Sequence, residues 1–166
     1  MIFELRDHLK NGLRAAGLTT ANIFERQAQR DEYKRGSGAY LFPVSGDLER
    51  RNKPITRSAE VTTREQFSGT MSYLIEFVCR SDSELESAIG LFLRYLLEQP
   101  LVIGGTPYKC PSRPVRLSWL DDEGVLVDAF TTRLEITAET ALLEGTALMP
   151  VTTELSFEIE GGNINE

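Results

Sequence analysis

Apolar residues recur at three- and four-residue steps at the start of the chain, at Ile2, Leu5, Leu9, Leu13 and Ala16. That spacing predicts an amphipathic helix, and Gly17 is placed to end it. His8 lies beside the stripe and reads as an ordinary surface or boundary histidine. Residues 22–27 (NIFERQ) read as a short strand, and residues 29–38, charged and ending in Gly38, as a loop. Residues 39–44 (AYLFPV) form a strand pattern in which Pro43 marks an edge or a bulge. The clearest strand is 70–79, with Met71, Tyr73, Ile75, Phe77 and Cys79 on one face at period two. Leu74 and Val78 make its other face partly apolar. Such a strand is central in its sheet or meets another subunit.

From residue 81 the period changes back. Ser81 with Glu84, or Ser83 with Glu86, has capping-box spacing. Leu85, Ile89, Phe92 and Leu96 follow as the main stripe of a core helix, joined by Ala88, Leu93 and Leu97, and Pro100 stops it. Gly104 and Gly105 predict a tight hairpin between 101–103 and Tyr108. Residues 115–119, the turn at 121–124 and residues 125–130 read as strand, turn, strand. Residues 131–139 continue it, Leu134 and Ile136 alternating with Arg133 and Glu135. Residues 141–150 read as a linker. Thr153, Leu155, Phe157 and Ile159 then alternate with Glu154, Ser156 and Glu158 in a final strand, before a frayed end. Helices and strands are segregated rather than alternating, which predicts an α+β domain: two helices packed on a mainly antiparallel β-sheet. All 166 residues are expected in a single domain, with a core over 1–140 and the linker, extra C-terminal strand and tail over 141–166.

Residues 46–69 interrupt this pattern. They carry five basic and four acidic side chains and few large apolar ones. Connections in compact domains usually take about 2–6 residues, so 24 residues read as a long charged loop: a disordered insertion or a working surface. Too little apolar surface is present to offset an ordering entropy of roughly 1–2 kcal/mol per residue, so the loop is expected to order only on assembly.

Charge adds an asymmetry. The net charge is −7, but residues 1–80 carry 13 basic and 10 acidic side chains, and residues 81–166 carry 5 and 15. The split is either a solvated acidic face or a head-to-tail contact between copies, the kind that closes into a ring. The acidic total argues against a protein devoted to gripping nucleic acid. No apolar run approaches the length of a membrane span, and the N-terminal helix lacks the pattern of a signal peptide, so the protein is expected in the cytoplasm and not in a membrane. Cys79 and Cys110 are the only cysteines; Cys79 reads as a small buried hydrophobe, Cys110 as part of a Pro-bracketed turn, and neither as a disulfide partner.

Candidate chemistry is sparse. No glycine pattern matches a phosphate loop, and His8 has no Ser–His–acid setting. Asp121, Asp122 and Glu123 before Gly124 are turn formers before they are metal ligands. Trp119 reads as a core residue in preference to an interface anchor. No catalytic, cofactor or metal site is assigned, and the protein is not read as an enzyme. The basic residues Arg50, Arg51, Lys53 and Arg57 of the charged loop, with Leu155 and Phe157 of the last strand, are the candidate assembly residues.

The order of pieces resembles a known family. A short N-terminal helix leads to Asn22-Ile-Phe-Glu, a variable loop, Tyr40-Leu-Phe-Pro-Val, a long charged loop, a long strand from Met71 to Cys79, a helix from Asp82 to Glu98 and paired strands. Over residues 1–140 this resembles the tail terminator, or tail-completion, family of tailed bacteriophages. The resemblance implies a small structural subunit forming a hexameric ring on the tail tube, which ends tube polymerisation and presents a surface to the head connector. It implies the tail tube protein and a head connector or neck protein as partners, genome DNA passing the lumen without specific binding, and a place in the virion after assembly in the host cytoplasm. It would set the basic residues of the charged loop towards the ring or its neighbours. The strand at 151–160 departs from the minimal pattern, which keeps a tail tube or other neck protein of related fold as an alternative. A small α+β enzyme or ligand-binding domain is the alternative of a different class; it would be monomeric or dimeric with a deep pocket.

Overall fold

The computed structural model describes residues 2–25, 37–57, 61–119 and 130–147. The first helix, α1 (Ile2–Ala15), buries Leu5, Leu9 and Leu13 completely. Gly17 ends it at φ +92°: its N–H donates to Arg14 O at 3.0 Å, and Leu18 N–H to Leu13 O at 3.2 Å. This paired closure satisfies the last carbonyls and needs a left-handed residue at position 17. A 3₁₀ turn (Thr20–Asn22) leads into β1 (Ile23–Phe24).

Two long strands follow, β2 (Gly38–Arg57) and β3 (Val61–Val78), then the second helix α2 (Asp82–Glu98). Of the two capping boxes the sequence offers, the structure uses Ser81. Its hydroxyl accepts from Glu84 N–H at 3.2 Å, while the Glu84 carboxylate accepts from Arg80 N–H at 3.1 Å. Leu85, Ala88, Phe92 and Leu96 are the buried stripe, and Ile89 and Leu93 are partly buried against the core. The hairpin β4 (Leu101–Ile103) and β5 (Thr106–Tyr108) turns on Gly104 and Gly105, both at positive φ, as a two-residue hairpin prefers. A short strand β6 (Arg116–Ser118) precedes the long β7 (Thr131–Ala147).

The main sheet has the order β1-β2-β3-β7-β6. Only the β1–β2 pair is parallel, so the fold is α+β on a mainly antiparallel sheet, as the sequence predicts. β3 is central. Its register places Phe77 beside Ala39, Ile75 between Leu41 and Leu134, and Tyr73 opposite Ile136. These residues are all buried and face the helices in one core. Phe92 stands edge-on to Phe77, ring centroids 5.7 Å apart. The helices meet where α1 has only Gly12: a Cβ there would lie 2.9 Å from Phe92 and 3.0 Å from Tyr95.

On the sheet's other face, Phe24, Tyr40 and Phe42 stack in a row at 5.1 and 6.4 Å. Beside them Arg133 Nε donates to Glu76 Oε2 at 2.7 Å, with the Glu76 side chain 2% exposed. The partly apolar second face foreseen for β3 is therefore half-buried at Leu74 and Val78 and carries an ion pair between them.

The structure corrects several expectations, His8 at the surface among them, since it is buried, and others lie outside its described residues. Residues 46–57 and 61–69 are not a loop: they continue β2 and β3 in register, from Gly46 opposite Met71 to Arg57 opposite Thr62. Residues 141–147 are not a linker but the second half of β7. Trp119 is not in the core; it leaves the sheet just past the three-residue edge strand β6 and is 55% exposed. The predicted loop at 29–36, the turn and strand at 120–129, and the C-terminal strand with Leu155 and Phe157 lie outside the described residues.

Candidate assembly surface

The helical core ends at Leu41, Met71 and Ala138, but the strands continue. Beyond that level β2, β3 and β7 form a three-stranded arm. Its backbone order comes from pairing on both sides of β3, which no reading of residues 46–69 alone could supply. Cross-strand polar contacts line it: Arg64 donates to Asn52 Oδ1 at 3.4 Å, and Gln66 to Glu144 Oε2 at 2.6 Å. Lys53 is set opposite Glu65. Opposed charges of this kind support a sheet as large apolar side chains would elsewhere. Gly69 permits a close approach of the two strands, because a Cβ there would lie 1.8 Å from Asp47 O. The arm touches the helical side through the β4–β5 hairpin. Tyr108 donates its hydroxyl to Glu65 Oε2 at 3.2 Å, and Leu143 packs against the core where Gly104 leaves room for it. Burial, with Glu65 beside it, pushes the Tyr108 phenol up to about 12, so it stays a donor.

The outer flank of the arm is β2. β1 covers it only at Ala39 and Tyr40. From Pro43 to Pro54 every residue of β2 is exposed, and among the described residues no strand pairs with that edge. Irregularities in register fall between Pro43 and Ser45 and between Arg50 and Lys53, and Asn52 takes φ +50°. Proline, bulges and charge are the devices that guard an open edge, and they leave one regular window, residues 45–50.

Arg50, Arg51 and Lys53 are thus brought together on this exposed edge, Arg51 within 3.1 Å of Glu49. Arg57 lies further along the same strand, towards the tip. Exposed apolar residues flank the arm and the helices: Leu97, which the sequence places with the core stripe of the second helix, is 82% exposed, and Val44 and Val102 are 58% and 48% exposed. Their patterns do not betray them, because Leu97 falls on the flank of a helical stripe and Val102 in an apolar run.

A concavity of about 540 Å³ among the described residues is an open polar groove at the start of α2. It is lined by Ser37, Cys79, Ser81, Ser83 and Glu84 among others. Ser37 donates to Glu84 at 2.5 Å, which with the Arg80 amide holds that carboxyl below its usual range. Burial, with Glu84 nearby, pushes the Cys79 thiol up to about 11, which leaves it protonated and a weak nucleophile. Ser81 and Glu84 of this groove are engaged in capping α2. Burial pushes Cys110 up to about 12, and both cysteines are free thiols. Among the described residues no group of three or more His, Cys, Asp or Glu side chains could hold a metal ion. No helix there is long and apolar enough to cross a membrane.

No protein-family model matches this chain, and no curated protein is significantly similar to it. Among solved structures it is similar to the sheath/tube terminator of the extracellular contractile injection system PVC, in its extended state. The identity is 15% and the TM-score 0.48. The match covers 99% of this chain but only 65% of that one.

Proposed function

We propose that this protein is a structural subunit that closes the end of a phage or phage-like tail, assembling as a ring, of six copies, that stops tube growth and presents a joining surface to the neck. The observation that carries this reading is the arm: a three-stranded extension that leaves the core, with a long, exposed and charge-bearing edge on β2. A monomer gains nothing from projecting such an edge into water, whereas a ring subunit uses it to reach a neighbour. The order of elements from α1 to β7, which resembles that of tail terminators, supports the same reading. So does the charge split, since a basic first half and an acidic second half suit head-to-tail contacts. The tail tube and the head connector are then the partners above and below the ring, with genome DNA passing its lumen unread.

Particle mass measured over a range of protein concentrations, with electron micrographs of the same sample, tests the proposal. Rings are expected, loosening as salt rises, because exposed charges are screened within about 8–10 Å near physiological salt. A monomer at every concentration, or a two-fold dimer, refutes it.

A further inference from the structure

We infer that residues 45–50, the regular window on the outer edge of β2, receive residues 152–159 of a second copy as an added strand. The inference rests on the ring reading above and names the contact that would build it. The window is exposed throughout, bracketed by bulges and unpaired among the described residues. An added strand satisfies such an edge with main-chain hydrogen bonds and asks little of sequence.

The donor segment has the pattern of a half-buried strand: Thr153, Leu155, Phe157 and Ile159 alternate with Glu154, Ser156 and Glu158. Its charge suits the acceptor. Residues 148–166 carry four acidic and no basic side chains, whereas residues 45–57 carry four basic and two acidic ones. The exposed Leu48 would meet the donor's apolar side chains, while Arg51 and Lys53, at the irregularity that ends the window, would attract the acidic donor.

Topology selects a second copy over the same chain. β7 runs out to Ala147, opposite Val61, where the β2–β3 connection turns. To reach its own β2 edge, the chain would have to pass over that connection at the same end of the sheet. Connections avoid such crossings. A chain leaving the tip outward meets a neighbour instead. Repeated around a ring, each copy would give one strand and receive one.

The test uses the full chain. The doubly substituted Leu155→Pro, Phe157→Pro protein removes donor amides and apolar side chains together. It is expected to unfold as cooperatively as wild type, while the concentration needed for assembly rises about tenfold or more, the equivalent of one or two lost hydrogen bonds. A peptide of residues 151–160 should compete with wild-type assembly, and the same peptide N-methylated at alternate residues should not. Assembly of the substituted chain at wild-type concentrations overturns the inference and leaves the ring reading standing. So does a peptide that fails to compete, or competes equally well when N-methylated. Loss of cooperative unfolding places the segment in its own domain and also overturns it. A wild-type chain that never assembles removes the ring reading and this inference together.

Discussion

Replacing Phe92 by Ala probes the joint on which the helical layer sits. Phe92 is fully buried, stands edge-on to Phe77 at 5.7 Å, and has its ring against the helix α1 at Gly12. Removing the ring forfeits its transfer free energy, about 1.5–3 kcal/mol, and leaves a cavity between two helices and a sheet that cannot all close on it. The expected total is about 3–5 kcal/mol, of which about 0.5–1.5 kcal/mol belongs to the Phe77 pair. Because a whole domain is stable by only about 5–15 kcal/mol, the variant should fold but with a lower urea midpoint and an unchanged slope. Gly12 gives an internal control. Gly12→Ala would press a methyl to 2.9 Å from the Phe92 ring, which should cost about 1–3 kcal/mol in the wild type. In the Phe92→Ala background that clash is gone, although Tyr95 still stands 3.0 Å away, so Gly12→Ala should cost less there by about 0.5–3 kcal/mol. Strict additivity of the two substitutions, or a Phe92→Ala midpoint equal to wild type, would refute the described helix packing.

Two further outcomes follow from buried charge. Arg133→Met should lower stability by about 3–5 kcal/mol by stranding the Glu76 carboxylate, and adding Glu76→Leu should restore much of it; a single substitution without measurable loss in chemical denaturation would show that the pair is not buried. Burial lowers the His8 pKa from its ordinary value of 6.5, and its Nε2 is enclosed without a hydrogen-bond partner beside Tyr95, ring centroids 5.3 Å apart. The unfolded chain therefore binds a proton that the folded chain resists. This contribution is complete above pH 6.5 and lost as pH falls towards the folded pKa, with a slope of at most about 1.4 kcal/mol per pH unit. Denaturation midpoints of wild type and His8→Phe between pH 5 and 8 should diverge as the pH drops; parallel curves would place His8 in water.

The parts of the fold that were legible in the sequence are those set by local chemistry. The α1 stripe and its Gly17 stop, the Ser81 cap, the Phe92 stripe and the Gly104-Gly105 turn each depend on residues within a few positions of one another. The period-two run from Met71 to Cys79 is also local; its two-sided apolarity leaves a central strand or a subunit contact open, and the structure makes it central, with β2 and β7 on either side. His8 was harder. It lies between Leu5 and Leu9 on the flank of the stripe, and only the crossing of α2, with Tyr95 against it, turns that flank into interior.

The arm was illegible for a different physical reason. A strand inside a domain announces itself by burying alternate side chains, and a strand wet on both faces has no such alternation. Residues 46–57 are ordered in the structure through a long antiparallel pairing with the next strand, β3, and β3 in turn through β7, which begins more than 50 residues after β3 ends. Polarity of this kind reads as a loop from sequence, although here it is the composition of a sheet that has left the core. Ordering entropy is offset here by the ladder of main-chain hydrogen bonds that a third strand makes cooperative, and not by apolar burial alone. A disordered loop would offer Arg50, Arg51 and Lys53 as loose charges, but β2 fixes them along one edge, on either side of the irregularity at Asn52. Charges held in that way can set the register of an incoming strand as well as attract it. A neighbouring copy would therefore meet a template, short and bounded by bulges, that admits one strand and no more.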